Sequence, residues 1–281
     1  MTSEKEMTVT ETAFDVDPDS LTGPLGLRHH VRFVDQGTDL LVHFATAPRG
    51  MDADQHHSAL QVQARLRGWS LLSIVAEEGH DFRADPVIEF FDRCVDGAVF
   101  DRFGKVLFYG DDDGGYAALC YALAAPGARV VSVAPKAPRQ TPGARYLPEP
   151  RNLETSAHIM WLDDPTMPNA VAPLPVTQMF TTRYLAPGAE ARLLRYGLFW
   201  PLLEGAMADG FAPQVLYAGL RARHDDPVHV RRLAKICMDK GQMARTAVIT
   251  GAFAKSSGRG RFRRSYNEMI ETYDLQGFQP L

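Results

Sequence analysis

Between Asp39 and Pro135 the chain alternates short apolar runs with stretches of helical spacing, and this alternation constrains the architecture more than any single motif does. DLLVHFATA (39–47) and WSLLSIVAEE (69–78) are apolar runs bounded by turn residues, and HSALQVQARLRG (57–68) between them carries apolar residues three and four apart. PVIEFFDRCVDG follows, with Pro86 suited to a first helical turn, then the strand KVLFYG, the helix GGYAALCYALAA and the strand ARVVSVAP. The rhythm predicts an α/β fold, a mostly parallel sheet with helices on both faces. HVRFVD (30–35) adds an earlier strand, and HIMWLDDP and PVTQMFTT add two later ones. AEARLLRYGLFWPLLEGAMADG (189–210) reads as one long closing helix, kinked at Pro201.

Residues 1–27 hold few large apolar side chains, so a flexible N-terminal arm is expected there, with the α/β domain over 28–210. Beyond Phe211 the patterns are helical only: PVHVRRLAKICMDKG, QMARTAVITGAFAKS and RFRRSYNEMIETYD. Residues 211–281 are therefore expected to form a helical C-terminal extension, whose small residues Ala244, Ala247 and Gly251 fit a close helical hairpin. Such hairpins present grooved faces, so an unknown small molecule or protein partner is expected via this extension. The net charge of −4 gives no bulk attraction to nucleic acid or anionic membrane, and neither is expected as a partner. The arginines of SSGRGRFRRS read as a solvated turn. Cys94, Cys120 and Cys237 are too few and scattered for a disulfide framework or a zinc site. The acidic start MTSEKEMTVTETAFDVDPDS lacks the features of a signal peptide, so a cytoplasmic location is expected.

The stretch VLFYGDDDGGYAAL (106–119) turns a strand directly into a small-residue helix. In open parallel sheets, ligands gather where strands end and helices begin, which places residues 111–113 at such a point. Gly110, Gly114 and Gly115 flank the turn as G-x-D-x-G-G, relieving the crowding around a residue forced into a strained conformation, here Asp112. Three adjacent carboxylates repel one another, so a raised pKa, an arginine or another cation is expected among them.

GDDDGGYAALCYALAAPGARVVSVAP resembles the nucleophile elbow of the α/β-hydrolase superfamily, G-x-S-x-G-(G), and is most similar to bacterial members with GSSMGGYAAL followed by a strand and SPQ. GLFWPLLEGAMADG is similar to the closing helix of that bacterial group, and the resemblance spans about residues 30–210. It implies Asp112 in the nucleophile slot and the backbone N–H of Asp113 as one oxyanion donor. A second donor is implied near Ala45 and Thr46, in the loop after DLLVHFATA, and the acid would be Asp163 or Asp164. The histidine is implied within TTRYLAPGAEA (181–191), which contains none. His80, past the strand ending at Ala76, is the substitute on the correct edge of the sheet. His43 reads as a packed core residue, His56 and His57 as helix-start residues, and His158 as lying at the wrong end of its strand. His224 and His229 read as a solvated helix face.

Loss of serine and histidine together removes the nucleophile and its base. The resulting expectation is a non-classical or catalytically inactive hydrolase homologue, a pseudoenzyme acting by binding, with no cofactor. One alternative keeps catalysis, with Asp112 as nucleophile as in haloalkane dehalogenases and epoxide hydrolases and His80 as base. Another rests on the similarity of FYGDDDGG to the D-x-D-G-(T/V) motif of haloacid-dehalogenase-type phosphatases. That resemblance implies Asp111 as nucleophile, Asp113 as acid/base and magnesium between them, with Asp163 and Asp164 as further ligands at a neighbouring strand end.

Overall fold

A computed structural model describes residues 21–48, 53–138, 145–167, 171, 174 and 176–281, apart from the side chains of 53–59. It forms an eight-stranded sheet in the order β1-β2-β4-β3-β5-β6-β7-β8. The strands are β1 (Gly23–Leu25), β2 (His29–Val34), β3 (Asp39–Ala47), β4 (Trp69–Glu77), β5 (Val106–Asp111), β6 (Arg129–Val133), β7 (His158–Asp163) and β8 (Gln178–Thr181). β1 pairs antiparallel with β2 and β2 antiparallel with β4, while every pairing from β4 to β8 is parallel. This is the three-layer, α/β-hydrolase-like arrangement expected from the alternating pattern. Beta-branched and aromatic residues buried on both faces account for the near-continuous apolar reading of β3, β4 and β5.

The helices of this unit are α1 (Ala53–Leu66), α2 (Asp85–Asp96), α3 (Asp113–Tyr121) and the short α4 (Pro150–Leu153). The β3-α1-β4 crossover runs one way across the sheet, and β4-α2-β5 and β5-α3-β6 run the other, so a constant right-handed crossover puts α1 opposite α2 and α3. The period of two along each strand sorts the core accordingly. Leu40, Val42 and Phe44 of β3 join Val106 and Phe108 of β5 in the cluster with Phe90, Phe91 and Tyr121 from α2 and α3. Phe91 and Tyr121 stack with ring centroids 4.1 Å apart, and Phe44 lies 5.9 Å from Phe91. Each ring is fully buried, worth about 1.5 to 3 kcal/mol on removal from water. On the opposite face His43 stacks on Tyr109 at 5.5 Å and meets Ser73 Oγ at 3.5 Å, a packed core histidine as expected.

Two boundaries differ from the sequence reading. Most of the arm expected over 1–27 lies outside the described residues, but its end is structured: β1 pairs with β2, and Leu21 and Leu25 are buried in the main core. A three-residue strand carries too little periodicity to stand out in sequence. The single kinked helix expected over 189–210 is two helices, α5 (Ala189–Arg195) and α6 (Phe199–Met207). Gly197 adopts φ +67°, and the N–H of Leu198 returns to the Leu193 carbonyl at 2.8 Å, closing α5 with a glycine cap. Pro201 then falls in the first turn of α6, where its missing N–H costs nothing, so it starts a helix instead of bending one.

The chain divides into two compact units, residues 1–189 with 203–210, and residues 190–202 with 211–281. The second unit contains α7 (Pro213–Gly219), α8 (Pro227–Asp239), α9 (Met243–Ser257) and α10 (Gly260–Thr272). Asp226 caps α8 by accepting from the Val228 N–H at 2.9 Å, and it also accepts from the Tyr196 hydroxyl and, on both oxygens, from Arg195. Gly251 permits the close crossing of α9 and α10, since a Cβ there would stand 2.7 Å from the Tyr266 ring. His229 is not on a solvated face: it is buried, and burial first, then Arg223 and Arg192, lower its pKa to about 4, so the ring is uncharged at neutral pH. His224 is exposed, as expected. No helix among the described residues is long and apolar enough to cross a membrane.

Candidate functional site

β3 and β5 are adjacent, and their crossovers leave in opposite directions, so their carboxyl ends form the topological switch point of the sheet. The turn after β5 is built there. Asp112 has φ 50° and ψ −117°, a combination outside the ordinary left-handed helical well, and such strain costs on the order of 1 to 3 kcal/mol. Backbone hydrogen bonds hold it: the Asp112 N–H donates to the Val133 carbonyl at 3.0 Å, and the N–H groups of Tyr116 and Lys136 donate to the Asp112 carbonyl at 3.3 and 3.1 Å. The three flanking glycines are each required by close approach. A Cβ on Gly110 would stand 2.2 Å from the Gly114 carbonyl oxygen, one on Gly114 2.6 Å from the Phe44 carbonyl oxygen, and one on Gly115 2.9 Å from the Val133 carbonyl oxygen. The turn thus has the form of a nucleophile elbow, with an aspartate in the strained position.

A cation stands at one of the three carboxylates: Lys136, just after β6. Its Nζ lies 3.5 Å from Asp113 Oδ2, and both side chains are about a quarter exposed. Lys136 therefore grips the elbow twice, by its N–H to Asp112 and by its ammonium to Asp113. Among the described residues, no three His, Cys, Asp or Glu side chains come together as a group able to hold a metal ion. Asp163 and Asp164 end β7, which is separated from β5 by β6, so the second acidic pair is not at a neighbouring strand end as the phosphatase resemblance required. Two strand spacings put the pairs roughly 10 Å apart.

Asp164 is the buried member of that pair, 1% exposed. Its Oδ1 accepts from the Thr166 N–H at 3.1 Å, the Thr166 hydroxyl at 2.6 Å and the Tyr184 N–H at 3.2 Å, and its Oδ2 accepts from the Ala186 N–H at 3.0 Å. Two residues further on, the N–H of Gly188 donates to Asp112 Oδ2 at 3.1 Å. The segment after β8, where the hydrolase resemblance implies a histidine, thus donates main-chain N–H groups at both the acid position and the nucleophile position. Asp164 fixes its middle and Asp112 its end. Peptide N–H groups cannot accept a proton, so this bridge has the reach of a histidine without its chemistry. Sequence reasoning found the missing imidazole but not the bridge, because backbone donors leave no mark on residue identity.

Asp163 is the partly exposed member. Burial and then the adjacent Asp164 raise its pKa above the ordinary 3.8. A carboxyl whose folded pKa is raised favours folding when protonated, and that contribution fades as pH climbs from 3.8 through the folded value. Asp163→Asn should therefore be more stable than the parent at pH 7 and indistinguishable from it below pH 3.8, read by urea midpoints across pH. A variant less stable at pH 7 would show that the Asp163 carboxylate is needed by a partner.

The remaining sequence-implied positions are dispersed. Ala45 and Thr46 lie inside β3, in register with Val75 and Ala76 of β4, and not in the following loop. They are strand residues engaged in the ladder, which corrects their placement as loop donors. The chain leaves the strand only at Pro48, which has no N–H, and residues 49–52 lie outside the described ones. The Asp113 N–H belongs to the first turn of α3, where N–H groups have no partner within the helix. His80 follows β4, two strands from β5. Its N–H donates to the Glu77 carbonyl at 3.0 Å, and the carbonyl of the next residue, Asp81, meets His29 Nε2 at 2.7 Å, which places this segment beside β2. The side chains of His56 and His57 lie outside the described residues, and His158 is buried at the start of β7.

No family model and no curated protein matches the chain. Among solved structures it is similar to Est1E from Butyrivibrio proteoclasticus, at 11% identity over 63% of this chain and 93% of that one, with a TM-score of 0.37. An alpha/beta hydrolase enzyme from a Medee basin deep-sea metagenome library gives 15% identity over 57% and 80%, with a TM-score of 0.37. An a/b serine hydrolase without lid from Xanthomonas campestris gives 17% over 58% and 82%, with a TM-score of 0.33. The fold assignment rests on this chain's own strand order and elbow.

Proposed function

We propose that the protein is a hydrolase-fold homologue without serine-hydrolase turnover, which uses this scaffold for binding. The observation that carries the reading is the Gly188 N–H on Asp112 Oδ2, in a segment that holds no histidine. The slot from which a general base would reach the nucleophile is occupied by main chain. Lys136 on Asp113 supports the reading, since it offsets one of the turn's three carboxylates from within the protein itself. A fluorophosphonate probe should give no labelled serine at any concentration that labels a working esterase.

A second reading is favoured by one observation, the retained strain at Asp112. A carboxylate in that position can attack the carbon of an epoxide: its oxygen forms the new C–O bond, the ring C–O bond breaks, and the alkoxide takes a proton from water. The product is an ester on Asp112, and with no base to hydrolyse it the ester would accumulate. Incubation with styrene oxide followed by intact-protein mass measurement separates the readings. No adduct is expected. A stoichiometric adduct that maps to Asp112 and disappears in Asp112→Asn would overturn the binding reading in favour of a stalled or slow hydrolase.

A further inference from the structure

Residues 211–281 contain twelve Lys and Arg against six Asp and Glu, a net charge of +6 in a chain whose total is −4. Within this unit α9 packs against α8 on one side and α10 on the other, and a cleft of about 390 Å³ lies between them. Its floor is Thr246 and Thr250 of α9, and its walls include Ala234 and Met238 of α8 with Phe262 and Met269 of α10. Met238 and Tyr273, at 42% and 46% exposure, leave apolar surface at its mouth. Arg231 and Lys235 stand one turn apart on the α8 rim. On α10, Arg261 lies four residues before Ser265 and Arg264 four before Glu268, both of the lining, and so each stands one turn from it. Arg261, Arg264, Arg231 and Lys235 have no ion pair among the described residues.

We propose that this cleft is a docking groove for an acidic amphipathic helix of a partner protein. The apolar stripe of that helix enters between α8 and α10, and its carboxylates face the four cations. The lining decides the class of partner. Thioether, methyl and hydroxyl groups suit aliphatic side chains, and Phe262 is buried and offers no open ring for a base to stack on. The inference stands whether or not the elbow turns over a substrate.

The test uses the full chain and a fluorescent helical peptide of about 18 residues, with leucines at i, i+3, i+4 and i+7 positions and glutamates on the flanks. Binding by anisotropy is expected, and it should weaken as salt is raised from about 50 to 300 mM. It should vanish when the leucines become serines or the glutamates become lysines. Arg231→Glu with Lys235→Glu, both on the rim, should weaken binding about tenfold with an unchanged circular dichroism spectrum. Filling the floor with Thr250→Trp tests the cleft by a second route; if that variant fails to fold, Met238→Glu at the mouth takes its place. Absence of binding, or equal binding by the rim variant, overturns the proposal. So does tighter binding of single-stranded RNA or of phosphatidylserine vesicles that is lost in the same rim variant, which would assign the cations to phosphate.

Discussion

Gly110→Ala should lose about 3 kcal/mol or more of folding stability, a large share of what a domain of this size possesses. The added methyl would stand 2.2 Å from the carbonyl oxygen and 2.3 Å from the carbonyl carbon of Gly114. Both are main-chain atoms in the first turn of α3, so no side chain can swing aside. The helix would have to lift off the sheet, and α3 packs against β3, β5 and β6. Gly114→Ala should follow for the same reason, its methyl meeting the Phe44 carbonyl oxygen at 2.6 Å. Gly210→Ala is the control: a Cβ there meets nothing within 4 Å and φ is ordinary, so a change within about 0.5 kcal/mol is expected. Urea denaturation monitored by tryptophan fluorescence reads all three. A Gly110→Ala protein within about 1 kcal/mol of the parent would mean that the turn is open, contrary to the closure on which the elbow rests.

The parts of this molecule legible in sequence are those where a local rule and the fold agree. β3 was bounded by its apolar run alone, and the elbow by three glycines whose spacing reflects three separate close approaches. The absence of histidine from residues 181–191 is equally plain, because a missing residue type needs no coordinates. What escaped was set by tertiary partners. β1 is held by pairing with β2 and by Leu21 and Leu25, too few residues to make a pattern. His229 has the sequence surroundings of a solvated helix, yet Val230, Phe253 and Phe262 form a core beside it. The break at Gly197 was masked by the stronger signal of Pro201, since a proline marks a kink and a helix start with the same letter. Ala45 and Thr46 fall within the apolar run that bounds β3, and their register with Val75 and Ala76 of β4 keeps them in the ladder and out of the loop that follows.

Asp164→Ala should cost about 3 to 5 kcal/mol, more than a buried aspartate of ordinary connectivity, because it leaves three backbone N–H groups and a hydroxyl without their acceptor. Those groups, on Thr166, Tyr184 and Ala186, belong to two segments, so the carboxylate ties the chain after β7 to the chain after β8. Asp164→Asn keeps the shape and one acceptor oxygen, but turns an amide N–H toward a donor; about 1 to 3 kcal/mol is expected. Stability alone would not separate a structural clamp from the bridge that blocks the elbow, and amide exchange at Gly188 does. If Asp164 positions the segment that reaches Asp112, the Gly188 amide should be protected in the parent and exchange much faster in Asp164→Ala, under conditions where β5 and β6 amides keep their protection. Asp112→Asn should leave Gly188 protected, because an amide oxygen still accepts its N–H, while Asp112→Ala should release it. Unchanged protection of Gly188 in both alanine variants would show that the segment holds its place without either carboxylate. The backbone bridge would then be a consequence of the loop's own packing, and the argument that it excludes a base from Asp112 would lose its support.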